Sequence, residues 1–141
     1  MSFKNYNFIL LAGGQSTRFG KNVNKTTINF RDKPLILNII DKLMLIGFTN
    51  ITIVHSKNNK SHFKEYVKKC KLIKGGETRS LSVKNAIKNT KSKFTIVHDL
   101  ARPLLNKKTI LDIIKNLKIG YSCVIPYSDA TDTCLLYTSD A

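Results

Sequence analysis

The sequence predicts an α/β fold, a doubly wound and mainly parallel sheet, and three observations carry that reading. Short apolar runs rich in β-branched residues alternate with segments whose apolar residues recur at helical spacing, the order that builds βαβ units. Polar clusters follow the predicted strands one after another, as they do where loops gather at one edge of a parallel sheet. Finally, 141 residues with 42% hydrophobic content make at most one domain's worth of chain, able to bury a core and free of internal repeats or low-complexity linkers.

The first strand is the apolar run Phe8–Ala12, stopped by Gly13-Gly14. Pro34 opens a strongly apolar helix that reaches about Ile46, with Gly47 as its stop; proline suits a helix's first turn and glycine its exit. Ile51–His55 is a β-branched run and reads as a second parallel strand. Residues 60–69 read as a short surface helix with Phe63 and Val67 on one face. Lys71–Lys74 is a brief strand ended by Gly75-Gly76, and Ser80–Lys88 is helical, with Leu81, Val83, Ala86 and Ile87 as its apolar positions. Phe94–His98 forms another strand, residues 107–118 an amphipathic helix through Ile110, Ile113, Ile114 and Leu117, and Tyr121–Pro126 a last buried strand. The clusters Gly13–Lys25, Gly75–Arg79, His98–Pro103 and Ser128–Thr133 each follow one of these strands, so all four are expected at one edge.

The chemistry of each cluster follows from its residue types. At residues 9–25, ILLAGGQSTRFGKNVNK, a buried strand meets a glycine turn whose free N–H groups suit an anion, with the charges of Arg18 and Lys25 beside it. Gly20-Lys21-Asn22 breaks the Walker pattern, and Gly13, Gly14 and Gly20 lack the dinucleotide spacing. In GGETRSLSV, residues 75–83, two glycines let main chain approach a flat base, while Glu77 and Ser82 offer polar atoms. Ser80 reads equally as a helix N-cap, and Arg79 as a surface charge. In VHDLARP, residues 97–103, Arg102 can grip phosphate oxygens in a bidentate way, and Asp99 can accept hydroxyl hydrogens or help hold a metal ion; a structural Asp99–Arg102 ion pair is the plain alternative. His98 reads as a packed strand-end residue.

Taken in order, LAGGQSTRFG with Lys25, then GGETRSLSV, then HDLARP, then Asp132-Thr133 resemble the 2-C-methyl-D-erythritol 4-phosphate cytidylyltransferase family, over residues 7–133. GGxxRxxSV and HDxARP separate that family from the molybdenum-cofactor nucleotidyltransferases, which share only the first loop. They are common to ribitol-5-phosphate cytidylyltransferase, which stands as the alternative. The resemblance implies a Rossmann-like nucleotidyltransferase fold, transfer of CMP from CTP to methylerythritol phosphate in the non-mevalonate isoprenoid pathway, release of pyrophosphate, Mg²⁺ bound mainly through the triphosphate, and a homodimer. It also implies roles. Ala12, Gly13 and Gly14 contact the nucleotide through main chain, and Arg18 and Lys25 are catalytic, neutralising the triphosphate. Gly76, Glu77 and Ser82 recognise cytosine and hold the nucleotide, and Asp99, Arg102 and Thr133 bind the acceptor polyol phosphate. The sequence departs from the family pattern at Glu77, where Asp is common, and at Leu100, which replaces a small residue and is expected to crowd the ribose. It departs again at Asn24 and Thr26, which flank Lys25 where proline and glutamine are usual.

The formal charge of +15 raises a second class of reading, a basic non-catalytic α/β module that binds nucleic acid. Against it, the lysines are scattered through every segment and no aromatic-rich binding signature accompanies them; a Lys-, Asn- and Ile-rich composition explains much of the excess, and the rest suits steering of anionic substrates into a basic cleft. Cys70, Cys123 and Cys134 stand too far apart to indicate a metal knot or disulfide framework. The longest apolar runs are too short to span a bilayer, and a cytoplasmic location is expected. Residues 134–141, CLLYTSDA, match nothing in the family. The expectation is therefore a C-terminally incomplete nucleotidyltransferase domain at 1–133, inactive on its own, with the natural reading frame lost near Cys134.

Overall fold

In the computed structural model, which describes residues 3–13, 29–30, 32–66 and 69–129, strands and helices alternate. The order is β1 (Tyr6–Leu11), β2 (Asn29–Phe30), β3 (Lys33–Pro34), α1 (Leu35–Ile46), β4 (Asn50–His55), a 3₁₀ helix (Lys60–Tyr66), β5 (Lys71–Lys74), α2 (Arg79–Lys88), β6 (Phe94–Asp99) and α3 (Lys107–Lys118). β1, β4, β5 and β6 form one sheet in the spatial order β5-β4-β1-β6, every pair parallel, while β2 and β3 make a small antiparallel ribbon. The chain divides into two compact units, Met1–Leu105 and Asn106–Ala141; the sheet belongs to the first and α3 to the second.

Burial explains why β1 sits inside the sheet. Phe8, Ile9 and Leu10 are fully enclosed, so both faces of the strand are covered, which is how a continuous apolar run behaves in a parallel sheet. On one face Ile9 and Val54 pack against Ala86 of α2, with Leu11 and Val97 around them. Phe8 projects to the other face, where the ring of Phe48, just past α1, meets it edge-on at 5.2 Å. α1 buries Leu35, Ile36, Ile39, Ile40, Leu43 and Ile46, and ends where Gly47 takes a left-handed conformation at φ 114°. The Gly47 N–H then donates to the carbonyls of Leu43 and Met44, a closure that glycine adopts without steric cost.

Three expectations need correction. Tyr121–Pro126 forms no strand; residues 121–129 are irregular, with Tyr121, Ile125 and Tyr127 exposed. An apolar run becomes a strand only when a neighbour takes up its N–H and C=O groups, and no described residue forms a ladder with this one. Consequently the Ser128–Thr133 cluster does not follow a strand end, and Thr133 lies outside the described residues. The N-cap of α2 is Thr78, whose side chain accepts from Leu81 N, and Ser80 lies inside the helix. Residues 60–66 are wound as a 3₁₀ helix that buries Phe63; Val67 lies outside the described residues.

Candidate active site

Parallel register brings four strand ends to one edge: Leu11 pairs with both Val54 and Asp99, and His55 pairs with Lys74. The ladder continues one residue past the strands. Ala12 N donates to Val54 O at 2.8 Å, Gly75 N to His55 O at 2.8 Å, and Leu100 N to Leu11 O at 3.0 Å. Thus the chain is pinned to the sheet at or beside the start of each of the first three polar clusters.

Of the first cluster the structure describes Gly13, directly after Ala12; Gly14, Arg18 and Lys25 lie outside the described residues. A Cβ on Gly13 would stand 3.4 Å from Ser56 N, so Gly13 lies closely beside the loop that follows β4. That loop is locked by its own polar groups. His55 Nδ1 donates to Ser56 O and Ser56 N donates to Asn59 Oδ1, each at 2.8 Å. Asn59 Nδ2 then donates to Ala12 O, also at 2.8 Å.

In the second cluster the glycines are needed for packing. A Cβ on Gly76 would fall 2.4 Å from Leu81 Cβ, and one on Gly75 2.8 Å from Ser82 Oγ. Ser82 Oγ accepts from Gly76 N at 3.0 Å and shares its single proton between Thr78 O at 2.9 Å and Gly76 O at 3.3 Å. Ser82 therefore holds the glycine turn onto α2, and the Gly76 N–H is already taken. Glu77 is exposed beside it.

The third cluster centres on Asp99. Arg79 Nε lies 3.3 Å from Asp99 Oδ1 and Arg102 Nε 3.7 Å from Oδ2, while Arg102 N caps the Asp99 carbonyl at 3.0 Å. The plain alternative for the third cluster is met, since Asp99 and Arg102 pair, whereas Arg79 is more than the surface charge it reads as. His98 Nε2 donates to Arg102 O at 2.8 Å, closing the turn from the other side. The guanidiniums of Arg79 and Arg102 stay mostly exposed, able to meet an anion at the sheet edge. Leu100 is 2% exposed, its side chain packed into the protein.

Among the described residues no three of His, Cys, Asp and Glu come together, and Asp99 already faces two positive charges. Sequence reasoning did not single out Asn59 or His55. The available signal was Ser56-Lys57-Asn58-Asn59 directly after a strand, where serine and asparagine commonly bond backbone.

The parallel sheet, with Gly13 directly past its first strand and an arginine-flanked carboxylate at the neighbouring strand end, belongs to an α/β nucleotidyltransferase fold. The same fold is found in the structure of the bifunctional IspDF from Campylobacter jejuni, at a TM-score of 0.80 and 32% identity, covering 93% of this chain and 35% of that one. The chain belongs to the 2-C-methyl-D-erythritol 4-phosphate cytidylyltransferase (IspD) family, whose model matches residues 7–140 and so runs on into the tail beyond Thr133. It is 40% identical over 131 residues to "Bifunctional enzyme IspD/IspF" of Pelagibacter ubique (strain HTCC1062), covering 89% of this chain and 35% of the relative. It is 37% identical over 120 residues to "2-C-methyl-D-erythritol 4-phosphate cytidylyltransferase" of Thermosipho africanus (strain TCF52B), covering 79% of this chain and 53% of the relative. The chain thus spans about a third to a half of the length of these relatives.

Proposed function

We propose that this chain is the nucleotide-binding part of a cytidylyltransferase that transfers CMP from CTP to 2-C-methyl-D-erythritol 4-phosphate. The observation that carries the reading is the convergence at one sheet edge of Ala12-Gly13 at the exit of β1, the Gly76–Ser82 turn and the Arg79–Asp99–Arg102 cluster. Family membership names the chemistry that such an edge serves.

In this reading an oxygen of the acceptor's own phosphate attacks the α-phosphorus of CTP in line. A new P–O bond forms as the bond to the bridging oxygen breaks, and pyrophosphate leaves with both electrons of that bond. The nucleophile is already anionic, so the protein's task is positioning and charge stabilisation, which cations and oriented amides supply. Arg18 and Lys25 neutralise the triphosphate, Ala12, Gly13 and Gly14 approach it with main chain, and Gly76, Glu77 and Ser82 border the cytosine. Asp99 accepts polyol hydroxyls, while Arg102 and Thr133 take the acceptor phosphate. Mg²⁺ would be held mainly through the triphosphate and would supply positive charge to offset that of the departing pyrophosphate. A homodimer and a cytoplasmic location complete the proposal; no helix among the described residues is long and apolar enough to cross a membrane.

Pyrophosphate release by the full-length gene product tests it, with CTP and methylerythritol phosphate, ribitol phosphate or no acceptor in parallel. Release with methylerythritol phosphate alone is expected. Release with ribitol phosphate alone would reassign the acceptor, and silence in all three arms would return the basic surface to nucleic acid.

A further inference from the structure

We infer that Asn59 is a positioning residue that aims the first amide of the glycine turn, Gly13 N–H, at the phosphates of the nucleotide; this rests on the cytidylyltransferase reading above. The Ala12 carbonyl is the point at which Asn59 acts. Its oxygen accepts from Asn59 Nδ2 at 2.8 Å, and the Ala12 N–H donates to Val54 O at 2.8 Å. Both polar groups of Ala12 are therefore committed to β4 and its loop. The Ala12–Gly13 peptide is planar and trans, so fixing the direction of its C=O fixes the following N–H to point the opposite way. Asn59 cannot swing, because its Oδ1 is held by Ser56 N at 2.8 Å, and His55 Nδ1 grips Ser56 O from behind. Ala12 and Asn59 are 4% and 6% exposed, so water does not compete for these bonds. The chain of contacts runs from the end of β4 to one peptide plane, Ala12–Gly13, at the exit of β1. An asparagine suits the place because it accepts with one atom and donates with the other.

The near-isosteric substitution Asn59→Asp keeps the acceptor for Ser56 N and replaces the donor facing Ala12 O with an oxygen. Asn59→Ser, a smaller change, loses the reach to Ala12 O and serves where the aspartate variant does not fold. Initial rates of the full-length enzyme, varied separately in CTP and in acceptor, read the effect. We expect the KM for CTP to rise about tenfold, the size of one hydrogen bond to a charged group, with the acceptor KM within about twofold of the parent. A folded variant with parental CTP KM overturns the inference even if its melting temperature falls, since loss of packing alone lowers stability without selecting one substrate. A parent enzyme that takes up no CTP by calorimetry overturns the cytidylyltransferase reading as well, which separates the two failures.

Discussion

Gly76→Ala offers the sharpest stability test, because its cost can be worked from contacts. The added Cβ would stand 2.4 Å from Leu81 Cβ, 3.1 Å from Leu81 C and 3.3 Å from Leu81 Cα. These atoms are backbone or the root of a side chain, so no rotation of Leu81 relieves the overlap. Nor is torsional strain involved: among the described residues the glycines at positive φ are Gly47 and Gly120. The first turn of α2 must therefore move, and it is held by Leu81 N on Thr78 Oγ1 at 3.1 Å and by Ser82 Oγ on Gly76 N at 3.0 Å. Overpacking of this kind costs about 1–3 kcal/mol, and a lost hydrogen bond adds about 1 kcal/mol. Stiffening of the unfolded chain by alanine returns only about 0.4–1 kcal/mol, so destabilisation wins by roughly 1–3 kcal/mol. Thermal melts followed by circular dichroism should show a fall of several degrees. Gly13→Ala is the control: its Cβ meets Ser56 N at 3.4 Å, an ordinary contact, so its melting temperature should hold while CTP turnover falls. A Gly76→Ala protein that melts with the parent would refute the packing account of the second cluster.

Thr78→Ala should cost about 1 kcal/mol as a lost helix cap, with Ser80→Ala near neutral; paired melts check the order, and the reverse would return the cap to Ser80. Arg18→Ala and Lys25→Ala should each lower kcat of the full-length enzyme by about 10²-fold or more with folding intact, and near-normal turnover in both would remove the assigned catalytic pair. Burial pushes the Cys70 thiol up to about 11 from 9.0, with nearby Lys69 opposing weakly. The folded protein therefore keeps this proton while the unfolded chain releases it. That contribution to stability is full below pH 9.0 and is lost as pH rises toward about 11, to be followed by melts across that window in the parent and in Cys70→Ala. At neutral pH iodoacetamide should label exposed Cys123 well before buried Cys70, read by peptide mass.

What was legible in the sequence is what local chemistry decides. Pro34 and Gly47 bracket α1 because one fixes φ for a helix's entry and the other accepts a left-handed exit. Residues 107–118 form α3, since a stripe of isoleucines and leucine recurs at helical spacing. What escaped needed the third dimension. Thr78 and Ser80 are equally good caps on paper, and only the position of Leu81 N distinguishes them. The Asn59–Ala12 bond joins residues 47 apart and Arg79–Asp99 joins residues 20 apart, so neither has a local signature. The YSCVIP run failed for a related reason: an apolar pattern cannot announce the neighbour that a strand requires.

Register ties the site to the core more tightly than the motifs suggest. Leu11 pairs with Val54 and Asp99, and Leu10 with His98. Alternation sends Leu11, Val54 and Asp99 to one face of the sheet and Leu10 and His98 to the other. Val54 packs with Ile9 and Ala86, so the first face belongs to α2, and there Asp99 meets Arg79 from the start of that helix. His98 turns instead toward Phe8, their rings 6.3 Å apart. Slipping β6 by one residue would exchange the two, leaving a carboxylate against an aromatic face and Arg79 without its partner. The same slip would pull Val97 away from Ile9 and Val54, so the core forbids it before any charge is consulted. Apolar packing thus selects which strand-end residue enters the site, and the arginines find Asp99 there because the valines and isoleucine have already chosen the register.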